Sequence, residues 1–166
     1  MTSSLQGPFL ITGASGHLGR RVVDLVLDAQ AGPLIVTTRH PDKLADLAAR
    51  GVEVRAADFT KPETLASAFA GAHRVLIVST DDLTPGQRFA SHKAAIEAAA
   101  AAGVRHIVYT SLTNPGADSP ISFAGDHAGT EAALVACGVP HSILRNNLYT
   151  DLFLMTAPQA IASGTL

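Results

Sequence analysis

Residues 8–29 read PFLITGASGHLGRRVVDLVLDA: a short apolar run, three glycines, then a long amphipathic segment. Gly13, Gly16 and Gly19 stand where a strand gives way to a helix. Glycine weakens both elements, so its repetition at that junction calls for a backbone that turns tightly or comes close to something. The spacing G-x-x-G-x-x-G suits a diphosphate. The first glycine permits the turn, the second lets the main chain approach the anion, and the third lets the helix pack closely on the sheet. The helix N-terminus then favours the negative charge. The pattern is short, and its weight comes from the strand before it, the helix after it and the repetition of such units downstream.

Those units are regular. Apolar runs at 9–12, 34–39, 52–58, 74–80, 106–111 and 141–146 alternate with helical patterns at 17–29, 41–50, 62–70, 87–102 and 123–137. The runs are rich in β-branched residues and nearly continuous in apolar character, as expected of strands covered on both faces. In the first helix, Leu18, Val22, Val23, Leu25, Val26 and Leu27 make a broad face that packs on a sheet. Pro41 suits a first helical turn, and Gly51, Gly103 and Gly138 mark helix ends. The alternation predicts an α/β fold: a doubly wound parallel sheet of Rossmann type, order 3-2-1-4-5-6, with right-handed crossovers. The final stretch LYTDLFLMTAPQAIASGTL reads as helical up to Pro158.

A chain of 166 residues holds one domain with a sizeable core. With 47% hydrophobic and 16% charged residues it is globular, and a net charge of −2 argues against a nucleic-acid partner. MTSSLQGP lacks the basic and apolar regions of a secretory signal, and the alanine-rich stretch near residue 100 carries Glu97, which argues against a membrane span. The single cysteine, Cys137, forms no internal disulfide and reads as a small packed helix residue, which with the rest points to a cytoplasmic protein. The seven histidines lie at no ligand spacing, so no metal site is expected, and no nucleophile-elbow serine occurs.

The end of the second strand discriminates between cofactors. NAD binders place an acid there, whereas this chain has Thr37, Thr38 and Arg39 and no carboxylate until Asp42. A guanidinium grips the 2′-phosphate of NADP through charge-assisted hydrogen bonds, so NADP(H) is expected in preference to NAD(H). The Thr38 hydroxyl can add to this grip, and Lys43 can reach the same phosphate from the following helix. After the third strand, Asp58 and Phe59 are placed to flank an adenine; Asp58 is equally suited to cap the helix near Pro62.

The segments ITGASGHLG, TRHPDKL, GVEVRAADF, VLIVST, AAAAAGVRHIVYTSL, DHAGTEAAL and SILRNNLYTD run in order through nearly the whole chain. With them the chain resembles the NmrA-like atypical short-chain dehydrogenase/reductases, most of all the bacterial type 2 NAD(P)H:quinone oxidoreductases. The resemblance implies NADP(H) along the strand C-termini and reduction of a quinone in the active members. It places Gly13, Ala14, Ser15, Gly16, His17 and Leu18 around the diphosphate and Arg39 on the 2′-phosphate. Ser79 and Thr80 fall on the ribose side, and Thr110, Ser111, Arg145, Asn146 and Asn147 near the nicotinamide.

The Tyr-x-x-x-Lys pair of many such enzymes is absent: Tyr109 and Tyr149 are followed four residues later by Thr113 and Phe153. His127 and Glu131 share a helix face at i,i+4, either to orient a proton donor or as an exposed ion pair. A quinone is electron-poor enough to take hydride without a strong enzyme acid, the protein supplying orientation and electrostatics. Asn146 or Tyr149 is placed to hydrogen-bond the accepting oxygen, and packing at a helix start is the other reading of Tyr149. The competing functional expectation is an NADP(H)-sensing regulator without catalysis. Family members continue well past IASGTL into a substrate lobe, so residues 1–147 are expected to form the NAD(P)-binding domain and 148–166 the start of a C-terminal region lacking most of that lobe. Exposed Leu148, Leu152, Phe153, Leu154 and Met155 would then favour a homodimer or a completing subunit.

Overall fold

The computed structural model describes residues 7–84 and 86–165, the side chain of Leu152 excepted. The stretch 1–6, read above for a leader, and the Leu152 side chain, read as exposed, therefore lie outside the described residues. Six parallel strands form one sheet in the order β3-β2-β1-β4-β5-β6, as the alternation predicts. They are β1 (Phe9–Ile11), β2 (Leu34–Thr38), β3 (Glu53–Ala56), β4 (Arg74–Ile77), β5 (His106–Leu112) and β6 (His141–Asn146). The helices are α1 (His17–Asp28), α2 (Ala45–Ala49), α3 (Leu65–Phe69), α4 (Gln87–Ala101), α5 (Ala124–Ala136) and α6 (Thr150–Ser163).

Neighbouring residues on the central strands part to opposite faces, as the strand period of two requires. Leu10, Ile35, Val75, Ile107 and Tyr109 pack with Phe69, Ile96 and Leu134 of α3, α4 and α5. Ile11, Val36 and Leu76 pack on the other face with Val23 of α1 and Leu47 of α2. Burying both faces explains why LIVTT in β2 is buried at all five positions.

The two helical patterns beginning at Pro41 and Pro62 each resolve into two pieces. A 3₁₀ turn (Pro41–Leu44, Pro62–Thr64) precedes a short α-helix, because a proline start with no side-chain cap leaves the first turn to tighten. The final helix departs from expectation in the opposite sense: α6 passes through Pro158 and ends at Gly164, in the left-handed region with φ 72°. Proline lacks its amide and strains the preceding turn without forbidding continuation, whereas the left-handed glycine ends the helix by turning its amide back to Ala160 O. The apolar side chains Phe153, Leu154, Met155 and Ile161 of α6 and Leu148 before it are exposed. Cys137 is half-buried against the core, its Sγ donating to Leu134 O.

β1 lies between β2 and β4, which the chain enters from opposite directions in the winding. At that reversal the connections leaving β1 and β4 diverge to opposite faces and open a crevice outside the strand C-termini.

Candidate functional site

The turn after β1 is built by its glycines. Gly13 takes φ +63°, and Gly16 N returns a hydrogen bond to Gly13 O at 3.0 Å. A Cβ on Gly19 would lie 2.8 Å from the Gly13 carbonyl carbon and closer still to its oxygen, so any side chain there would push α1 off the turn. Gly16 caps α1 in extended conformation with no side-chain hydrogen bond, and no acid stands in the first turn. The first amides of α1 are thus left without a side-chain acceptor, and partial positive charge collects there.

They border a cleft of about 730 Å³ assembled from the ends of four strands. Gly13, Ser15, Gly16, His17, Leu18 and Gly19 line it after β1; Arg39 after β2; Asp58 and Phe59 after β3; Ser79 and Thr80 after β4; and Tyr149 ahead of α6. These twelve, together with Thr38 at the end of β2, were singled out from the sequence and meet in one cavity. Ala14 does not join them: it is fully buried, and its amide is engaged by Thr37 O. Lys43 is likewise not among the lining residues.

Ser15 Oγ and Thr38 Oγ1 lie 3.1 Å apart, joining the glycine loop to the end of β2. Beside them Arg39 is exposed and forms no hydrogen bond or salt bridge among the described residues. Asp58 does not cap the helix near Pro62, where Lys61 stands at the cap position without a side-chain bond. Its Oδ1 accepts instead from Thr60 N at 3.0 Å and Thr60 Oγ1 at 2.7 Å. That hydroxyl, then the Thr60 amide and the charges of Lys61 and Arg39, hold the carboxyl below its ordinary range.

The residues expected near a nicotinamide divide. Tyr149 faces the cleft, its hydroxyl accepting from Asn146 Nδ2 at 3.0 Å, and Asn147 Oδ1 accepts from Leu148 N. Asp151 also lines the cleft and lies 3.4 Å from His17 Nδ1, bridging α6 to the start of α1. Thr110 sits behind the wall, its Oγ1 accepting from Ser79 N at 2.8 Å. Ser111 and Arg145 turn to Glu131 instead: Ser111 donates at 2.6 Å, and Arg145 donates through Nε at 3.0 Å and Nη2 at 2.7 Å. Arg145 first, by hydrogen bond, and Ser111 after it lower the Glu131 carboxyl. Glu131 and Arg145 border a separate groove with Asn114, Gly116 and Val135.

His127 and Glu131 are both buried and engage different partners, so the exposed ion pair does not describe them. His127 Nδ1 lies 2.7 Å from Tyr109 Oη, and no hydrogen bond joins it to Glu131 among the described residues. Tyr109 also meets His92, whose Nε2 accepts from Thr80 N on the cleft wall. Burial pushes the Tyr109 hydroxyl up and the imidazoles down, His92 to about 3 and His127 to about 4. Arg88, buried at the start of α4 with its guanidinium 4.7 Å above the Phe123 ring, adds to both imidazole shifts. Sequence reasoning missed this group, although a signal was present. Positions 88, 91, 92, 95, 96 and 99 form the buried stripe of α4, so Arg88, Ser91 and His92 fall on its core face.

The cleft fits a nicotinamide dinucleotide. It offers an uncapped helix start for a diphosphate, an exposed cation with no hydrogen bond or salt bridge among the described residues for a further phosphate, and hydroxyl-bearing walls on either side. A doubly wound parallel sheet carrying this cleft at its switch point defines a dinucleotide-binding protein. The chain belongs to the NAD(P)H-binding family, which it matches over residues 13–151.

Three similarities bear this out. Quinone oxidoreductase 2 of Escherichia coli is 39% identical over 155 residues, 93% of this chain and 53% of that protein. An NmrA-like family domain-containing oxidoreductase of Aspergillus flavus is 30% identical over 161 residues, 91% of this chain and 52% of that protein. The crystal structure of triphenylmethane reductase from Citrobacter sp., complexed with NADP(H), superposes with a TM-score of 0.86 at 35% identity, covering 94% of this chain and 55% of that one. The chain thus spans about half the length of the curated relatives it matches. Among the described residues, no helix is long and apolar enough to cross a membrane and no group of three or more metal-ligating side chains occurs.

Proposed function

We propose that this chain is the nucleotide-binding part of a cytoplasmic NADPH-dependent oxidoreductase that reduces a quinone or a similar electron-poor carbonyl acceptor. The observation that carries the reading is Arg39, an exposed guanidinium without hydrogen bond or salt bridge among the described residues, at the end of the cleft where an acid would select NAD(H). Amides of the glycine loop and first α1 turn hold the diphosphate, Arg39 the 2′-phosphate, and Ser79 and Thr80 the ribose side. When bound, the dinucleotide supplies the hydride; the quinone takes its two electrons and, with one proton in addition, leaves as hydroquinone. The Tyr149 hydroxyl accepts from Asn146, which leaves its own proton to donate to the acceptor oxygen as negative charge develops there. Support for the acceptor class comes from relatives named for quinone and triphenylmethane reduction. The test is NADPH oxidation with a panel of benzoquinones and naphthoquinones: turnover above a protein-free blank is expected, and its absence counts against the reading.

A second reading, an NADP(H) sensor without catalysis, draws on Tyr109. This tyrosine lies buried against His127 and is not among the residues lining the cleft, and no lysine follows at the spacing proton transfer would use. It predicts nucleotide binding without turnover and a protein partner whose affinity changes with NADP(H). The exposed apolar residues of α6 are where a second copy or a completing subunit would bind.

A further inference from the structure

β4 ends at Ile77, and the next three amides each donate to a side chain from a different part of the fold. Val78 N donates to Thr12 Oγ1 at 2.9 Å, Ser79 N to Thr110 Oγ1 at 2.8 Å, and Thr80 N to His92 Nε2 at 3.0 Å. Thr12 follows β1, Thr110 lies on β5 and His92 on α4, and all three are buried. Val78, Ser79 and Thr80 all line the cleft. We infer that His92 is a positioning residue for nucleotide binding, holding with Thr12 and Thr110 the Val78–Thr80 main chain as a rigid wall of the cleft. The inference rests on the dinucleotide cleft proposed above and deepens it.

With its amides engaged, this wall meets a ligand through hydroxyl and carbonyl oxygens. The glycine loop and first α1 turn meet it through N–H groups. The two walls therefore differ: main-chain N–H groups suit an anionic diphosphate, and hydroxyls that donate and accept, beside carbonyls that accept, suit the hydroxyl groups of a ribose. A wall fixed before binding loses less conformational freedom when the ligand arrives.

The same geometry dictates the state of His92. A main-chain N–H can only donate, so Nε2 is unprotonated and the neutral ring carries its proton on Nδ1. That proton has acceptors on two sides: Thr130 Oγ1 at 3.1 Å, whose own proton goes to Asp126 O, and Tyr109 Oη at 3.2 Å. Tyr109 then donates to His127 Nδ1. The ring is held from both edges, and burial beside the Arg88 charge keeps it neutral.

The test separates the two edges. His92→Asn can reach the Nδ1 partners but not Thr80, whereas His92→Gln places an amide oxygen where Nε2 accepts. Losing the anchor is expected to weaken NADPH and NADP⁺ binding roughly tenfold in His92→Asn, with faster hydrogen exchange at the Thr80 amide, while His92→Gln stays within about threefold of wild type. Wild-type affinity and an unchanged Thr80 exchange rate in His92→Asn would overturn the inference. Nitrogen NMR of the unmodified chain needs no variant, and a proton found on Nε2 of His92 would overturn it too. Should the unmodified chain bind no nicotinamide nucleotide, the site reading fails, and Thr80 exchange in the nucleotide-free variants still judges the anchor on its own.

Discussion

Acidification is expected to loosen this fold through two imidazoles. His92 and His127 are 0% and 3% exposed, and burial first, then the Arg88 guanidinium with His127 acting on His92, holds them at about 3 and about 4. In an unfolded chain both titrate near ~6.5. The folded values lie below the unfolded ones, so the unfolded chain binds more protons between about 6.5 and 4, and stability falls as pH drops through that window. At about pH 5, some 1.5 units below the unfolded value, each imidazole accounts for roughly 2 kcal/mol of lost stability, about 4 kcal/mol for the pair. That is a large share of the ~5–15 kcal/mol typical of a domain. The carboxyls held low, Asp24, Asp46, Asp58, Asp82 and Glu131, act in the same direction but chiefly below about pH 4.5. Urea titrations extrapolated to water at several pH values measure the fall directly. His92→Gln, with one imidazole removed, should shed about half of it. A stability that changes by less than about 1 kcal/mol between roughly pH 7 and pH 5 would refute the assignment of two buried neutral rings.

Other perturbations test the cleft and its supports. Arg39→Ala should weaken NADPH binding by roughly 10- to 100-fold, the worth of a charge-assisted hydrogen bond, and leave NADH binding unchanged in calorimetry; equal losses would undo the cofactor preference. Gly19→Ala drives a Cβ into the Gly13 carbonyl and should cost about 1–3 kcal/mol together with nucleotide affinity, so a wild-type melting temperature would contradict the close approach of α1. Glu131→Gln weakens the paired bonds from Arg145, and because that guanidinium is more than half exposed the expected loss is only about 1–2 kcal/mol by chemical denaturation.

Much of the architecture was legible because it rests on local rules. The run LIVTT shows a strand buried on both faces, the apolar stripe of α1 shows a helix lying on a sheet, and Gly13, Gly16 and Gly19 mark a turn whose geometry excludes side chains. Sheet order followed from chain connectivity and the handedness of crossovers. The placement of Arg39 and Asp58 beside one cleft followed too, since both stand just past strand C-termini. Hydrogen-bond partners were another matter. The i,i+4 spacing of His127 and Glu131 put them on one helix face, yet Tyr109 of β5 engages one and Arg145 of β6 the other. Asp58, open to two roles on sequence, closes on Thr60 within its own turn.

By itself the sequence determined which segments are strands and helices, the winding of the sheet and the site of the glycine turn, because steric limits and hydrophobic periodicity act between near neighbours in the chain. Only the tertiary structure decided that Thr12, Thr110 and His92 converge on three consecutive amides after β4. Buried polar groups must find a partner wherever folding brings one within reach, and across 66, 31 and 12 positions of sequence no periodicity names which one it will be.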